Sequence, residues 1–106
     1  MVQPLPQEPE KTDGAQSLVS VVDAGIQNLF KHLNAAGNQE GIQILITAQI
    51  DFYSNRLDSA IYRVRLLESM VPLSDAANRV QYLDLIWNMT LYRAKVEPVV
   101  YEQNIN

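Results

Sequence analysis

From Ile50 the apolar residues advance in alternating steps of three and four, through Tyr53, Leu57, Ala60, Val64, Leu67 and Val71. This spacing is a heptad seam, the signature of a helix that buries a narrow stripe against a facing helix. A strand alternates its faces with a period of two and cannot present it. The chain is therefore expected to be all-α, and the seam defines its longest element.

Caps and breakers bound the other elements. The seam predicts a helix over about 38–71, opened by Asn38 and closed by Pro72, which disfavours the α conformation at Val71. Gly41 weakens its first turn. A preceding helix is expected over about 13–36, since Asp13 with Gln16 makes a capping-box-like start and Gly37-Asn38 a stop. Leu18, Val22, Ile26, Leu29 and Leu33 share one face of it, opposite Gln16, Ser20, Asp23, Gln27 and Lys31. A third helix over about 74–97 has Ser74 as N-cap and Asp75 at the positive end of its dipole, and it stops before Pro98. Residues 1–12 hold Pro4, Pro6 and Pro9 among polar residues and are expected to be a disordered tail. Residues 98–106 form a C-terminal tail. The expected architecture is a helical hairpin or three-helix bundle, with one helical domain over 13–97. At 106 residues, 47% of them hydrophobic, the chain has material for one core.

The third helix carries two apolar stripes on nearly opposite sides. Val80, Leu83, Trp87, Leu91 and Ala94 form one, and Tyr82, Leu85, Met89, Tyr92 and Val96 the other. We expect the Trp87 stripe to close the intramolecular hairpin against Leu57, Ala60 and Val64. That leaves Tyr82, Leu85, Met89, Tyr92 and Val96 as the candidate protein-binding face. Ile44, Leu45 and Phe52 join them, because with Ala48 they give the first part of the long helix a second apolar side. A surplus of apolar faces of this kind marks an interaction site.

Catalytic and ligand-binding chemistry find little support. The one histidine, His32, sits at the edge of the first helix's apolar face without other ligands at metal-site spacing. Asp51 and Asp58 share a face two turns apart, roughly 10 Å along the axis, and read as charges on a solvated surface. Arg56 and Arg63 likewise read as a solvated strip, with an interfacial ion pair as the second reading. No glycine-rich phosphate loop occurs, and the Asn88-Met89-Thr90 acceptor pattern lies inside a helix. No cysteine is present, which excludes disulfides and thiolate catalysis. The net charge of −4 argues against nucleic-acid binding, which needs a basic stripe. No apolar run approaches the roughly 20 residues that span a bilayer, and the N-terminus lacks a secretory signal pattern. The chain is therefore expected not to be an enzyme, to hold no cofactor or metal, and to be cytoplasmic or incorporated into an assembly without a cleavable signal peptide.

The expected function is that of a structural or assembly subunit, acting by helix packing as a homo-oligomer or within a hetero-complex. The alternative is a small regulatory binder such as an adaptor, chaperone or protein inhibitor. An inhibitor mimicking nucleic acid would need a dense acidic face, whereas the acidic residues here are scattered from Glu8 to Glu102. Small helical subunits of export apparatus and virus particles have this build. The stretch Gln43-Ile-Leu-Ile-Thr-Ala-Gln-Ile-Asp-Phe-Tyr53, followed by a second amphipathic segment, resembles the inner-rod subunits of type III secretion systems. The resemblance covers about a third of the chain and rests on no invariant motif.

Overall fold

A computed structural model describes residues 7–96, with side chains from Ala15 onward. They form four α-helices: α1 (Gln7–Ala36), α2 (Gln39–Tyr53), α3 (Leu57–Ser69) and α4 (Ala76–Val96). The described residues are all-helical, as the periodicity requires. The count differs from expectation, because the helix expected over 38–71 is two helices.

Local chemistry explains most of the boundaries. Helix α1 starts at Gln7, earlier than the expected Asp13, so Gln7 to Thr12 are helical where a tail was expected. Pro9 is compatible with this because backbone N–H groups in the first turn have no intrahelical partner to lose. Residues 1–6 and 97–106, where the rest of the expected tails fall, lie outside the described residues. At its C-terminus α1 ends in a Schellman motif. Gly37 takes φ +68°, and the N–H groups of Gly37 and Asn38 donate to the carbonyls of Asn34 and Leu33. The Asn38 side chain then caps α2 by accepting from the Gly41 N–H at 2.9 Å. At the start of α4 the Asp75 carbonyl accepts from the Arg79 N–H, which puts the cap one residue beyond the expected Ser74.

The unexpected break falls at Ser54-Asn55-Arg56, where there is neither glycine nor proline. A second Schellman motif closes α2, with Asn55 at φ +64° in the left-handed position. Asn55 N–H donates to the Phe52 carbonyl at 3.1 Å and Arg56 N–H to the Asp51 carbonyl at 2.8 Å. Asparagine is the residue besides glycine that most readily adopts this conformation. The chain turns there, and α3 packs back on α2.

The helices pack in a ring in which α1 neighbours α2 and α4, and α3 neighbours α2 and α4. The diagonal helices α2 and α4 meet through side chains: the rings of Phe52 and Tyr92 lie 5.2 Å apart. The core takes Val22, Ile26, Leu29 and Leu33 from α1, Leu45, Ala48 and Phe52 from α2, and Leu57, Ala60, Ile61, Val64 and Leu67 from α3. Helix α4 contributes Tyr82, Leu85, Ile86 and Met89. Gly25 eases the α1–α4 approach, since a Cβ there would lie 3.2 Å from Cδ1 of Leu85 and Leu85 would have to shift.

This core reverses the expected orientation of α4. The Tyr82, Leu85, Met89 stripe is buried, whereas Val80, Leu83 and Trp87 are 59%, 45% and 60% exposed. Ile86, which belongs to neither expected stripe, adds its area to the inner one. Polar residues flanking that stripe also find partners on the neighbouring helices. Arg79 pairs with Glu68 and Arg93 with Asp58 on α3, and Gln81 accepts from Asn28 of α1 at 3.0 Å. Turning α4 over would break all three links.

The two faces make opposite predictions for truncation. Met89→Ala should destabilise the chain by about 2–5 kcal/mol, the range for a buried large apolar side chain. Trp87→Ala should change stability by no more than about 0.5 kcal/mol, as for an exposed position without special contacts. Urea denaturation of both variants, followed by helical circular dichroism, measures the difference; the opposite ranking would restore the expected orientation.

Candidate functional site

On α4 the residues Val80, Leu83 and Trp87, at i, i+3 and i+7, lie along the side opposite the core. The half-buried Leu91 and exposed Ala94 continue the line toward the C-terminal end. Arg79 and Arg93 border it on the α3 side, held there by Glu68 and Asp58. Arg79 donates through Nε at 2.9 Å and through a terminal nitrogen at 2.5 Å to one Glu68 oxygen. An apolar strip edged by paired charges results. Beyond the charges, the outer side of α3 exposes Tyr62 and Leu66, and Met70 and Leu73 follow in the connection to α4.

The residues expected to bind a partner are mostly elsewhere. Leu45, Phe52, Tyr82, Leu85 and Met89 are in the core, and Ile44 and Tyr92 are half-buried against it. Val96 is the one of the eight that is exposed. What the sequence reading missed was the Val80, Leu83, Trp87 strip. Its signal was present as one of two apolar stripes, and only its direction was misassigned.

Asp51 is not the solvated charge expected of it. It is 5% exposed, and its two carboxylate oxygens accept from Arg56 Nε at 3.0 Å and Arg63 Nε at 2.9 Å. Arg56 and Arg63 therefore meet an acidic residue inside the chain rather than forming a free strip. The Arg63 hydrogen bond is the strongest influence holding the Asp51 carboxyl below its ordinary value of 3.8; burial opposes it, and Arg56 adds to it. Asp58 is exposed and pairs with Arg93, so the two carboxylates share no site. On the α1–α2 side the Tyr53 hydroxyl donates to Asp23 at 2.7 Å. Partial loss of hydration, and then the hydrogen bond and charge of Asp23, push this phenol up to about 12.

Two hollows among the described residues share His32 and Asn78, the larger of about 280 Å³ and open to solvent. His32 is exposed at the rim of a cavity of about 130 Å³ that Leu33, Leu67, Val71, Asn78 and Tyr82 also line. Asn78 Oδ1 is buried there without a hydrogen-bond partner. The volume is well below the roughly 300–1,000 Å³ of small-molecule sites. Among the described residues no three His, Cys, Asp or Glu side chains are grouped to hold a metal ion. Nor is any helix among them long and apolar enough to cross a membrane.

The Asp51 pair makes a stability prediction. A carboxyl whose folded value lies below its unfolded one stabilises the fold at pH above the unfolded value, and that contribution disappears as pH falls through the folded value. Asp51→Asn should therefore lose about 1–3 kcal/mol at pH 7, the scale for hydrogen bonds to a charged group. The difference from the unsubstituted chain should shrink as pH drops below 3.8. Denaturant midpoints at pH 7 and pH 3 test this, and a difference that grows in acid would contradict it.

No protein-family model, curated protein or solved structure matches the chain.

Proposed function

We propose that this chain is a helix-packing subunit of a larger protein assembly, homomeric or mixed, and that the outer strip of α4 is its contact surface. The observation that carries this reading is Trp87, the chain's one tryptophan, held 60% exposed in line with Val80 and Leu83. Isolated apolar residues on a surface are ordinary, but an aligned group around a tryptophan is the composition of an interface centre. Covering each of these side chains contributes on the order of 1–2 kcal/mol. The charged border of Arg79, Glu68, Arg93 and Asp58 supplies the polar rim that surrounds such centres.

The inhibitor alternative has less to stand on. Asp51, Asp58 and Glu68 are neutralised by arginines within the chain, and Asp23 accepts from Tyr53. These carboxylates are thus committed internally. The outward feature of α4 is apolar rather than acidic.

Trp87 is itself the probe. Its fluorescence should be red-shifted in the dilute chain and move to the blue as concentration, and with it the mass measured by light scattering, rises. Val80→Ser with Leu83→Ser should abolish the blue shift and the part of the rise in mass that accompanies it, while helical content is retained. A chain that stays monomeric with red-shifted emission at all concentrations would overturn the homomeric form and leave the mixed assembly. Blue emission from a dilute monomer would show Trp87 covered by its own chain and overturn the surface assignment itself.

A further inference from the structure

We propose that the chain forms a dimer by exchanging halves: the Ser54–Arg56 elbow straightens into continuous helix, and the α1–α2 half of each copy packs on the α3–α4 half of the other. The occupant of each opened half is thus a second copy of this chain. The inference rests on the elbow and is independent of the α4 strip.

The elbow divides the contacts cleanly. Within the halves lie the Tyr53–Asp23 hydrogen bond on one side and the Arg79–Glu68 and Arg93–Asp58 pairs on the other. These survive any opening. Between the halves lie the Gly25–Leu85 approach, the Asn28–Gln81 hydrogen bond, the Phe52–Tyr92 ring contact and the Asp51–Arg63 pair. A second copy restores every one of them with identical residues, so the exchange replaces the lost contacts in kind. Only the contacts of the turn itself are given up. These are the Asn55 N–H to the Phe52 carbonyl, the Arg56 N–H to the Asp51 carbonyl, and the Arg56 side chain to the Asp51 carboxylate. Residues five apart on a continuous helix point about 140° apart, so this ion pair belongs to the bent form alone.

The sequence also gives the straight form something to gain. In the bent chain Ile50 and Tyr53 are each 53% exposed, while Leu57, Ala60, Val64 and Leu67 are buried. On one continuous helix all six fall in a single heptad stripe. Two straightened helices that cross at their elbows bring the Ile50 and Tyr53 of both copies beside the two-fold axis, where they cover one another. Against this stands a three-residue turn without glycine or proline, closed by a left-handed asparagine. Short turns of this kind favour exchange when they are strained.

Two substitutions at Asn55 should act in opposite directions. Asn55→Gly eases the left-handed turn, and Asn55→Ala penalises it while favouring helix. Because each dimer straightens two elbows, the dimer dissociation constant should rise on the order of tenfold or more for the first and fall by a similar factor for the second. The mass after refolding from denaturant across a concentration series reads this out. To separate exchange from face-to-face association, Asn28→Cys and Gln81→Cys are placed on different copies of the otherwise cysteine-free chain, which are refolded together and oxidised. Exchange predicts a disulfide between the two copies, enriched by Asn55→Ala and unaffected by Val80→Ser with Leu83→Ser. Dimers without that disulfide, or a chain that remains monomeric at high concentration with and without Asn55→Ala, would overturn the proposal. If Asn55→Ala fails to fold, cross-linking of the chain with Asn55 intact still decides it.

Discussion

The structure depends on how Asp51 is satisfied. A nearly buried carboxylate must find donors, and here each of its oxygens takes one guanidinium nitrogen, from residues on either side of the turn. Arg56 lies in the turn and Arg63 a further two turns along α3, so satisfying Asp51 folds the second helix back on the first. The Asp51 backbone carbonyl closes the same turn by accepting the Arg56 N–H. One residue thus anchors the corner through both main chain and side chain. Without the corner, the Ile50–Val71 stripe would belong to one long helix with no intramolecular partner along much of it. With it, α3 supplies a wall of the core and α4 has a surface to pack on.

That corner also determines which face of α4 is free. Once α3 is beside α4, Glu68 and Asp58 stand where Arg79 and Arg93 can reach them, while α1 offers Asn28 to Gln81 and a glycine opposite Leu85. These polar clasps add to the burial of apolar side chains in fixing the rotation of α4. Tyr82, Leu85, Ile86 and Met89 lie between the clasps and face inward. Trp87 lies outside them and faces outward. The exposed strip is therefore a by-product of satisfying charges at the seam as well as of filling the core.

The sequence was legible where local chemistry acts alone. The α1 stripe of Val22, Ile26, Leu29 and Leu33 is buried as its spacing implies, and the stop at Gly37 falls where a left-handed residue requires it, whereas α3 ends at Ser69, two residues before the expected Val71. The Leu57, Ala60, Val64, Leu67 seam is also core. What could not be seen was the elbow. Asn55 is a weak breaker beside glycine, and the Asp51–Arg63 pair spans twelve positions, beyond the reach of any helical-periodicity rule. The orientation of α4 failed for a different reason. Its two stripes are nearly balanced in apolar weight when Ile86 is left out, and its addition to the inner side tips that balance.

Balance of this kind bears on how strong a contact the α4 strip can make. Three partly exposed side chains release only a few kcal/mol when covered, whereas association costs an estimated 4–15 kcal/mol of translational and rotational freedom. A single strip would therefore hold a partner weakly. The ordered charges at its edge reduce the entropy lost on docking but do not close that gap. Affinity sufficient for assembly then requires several strips to act together, because linked contacts turn the second binding event into an intramolecular one. Two chains joined by exchange at the elbow would present two copies of the strip on one rigid body, since α4 contributes its inner face to the exchanged core and keeps its outer face free. In that arrangement the elbow supplies the linkage and the strip supplies the contact. A surface too weak for one chain becomes adequate for an assembly.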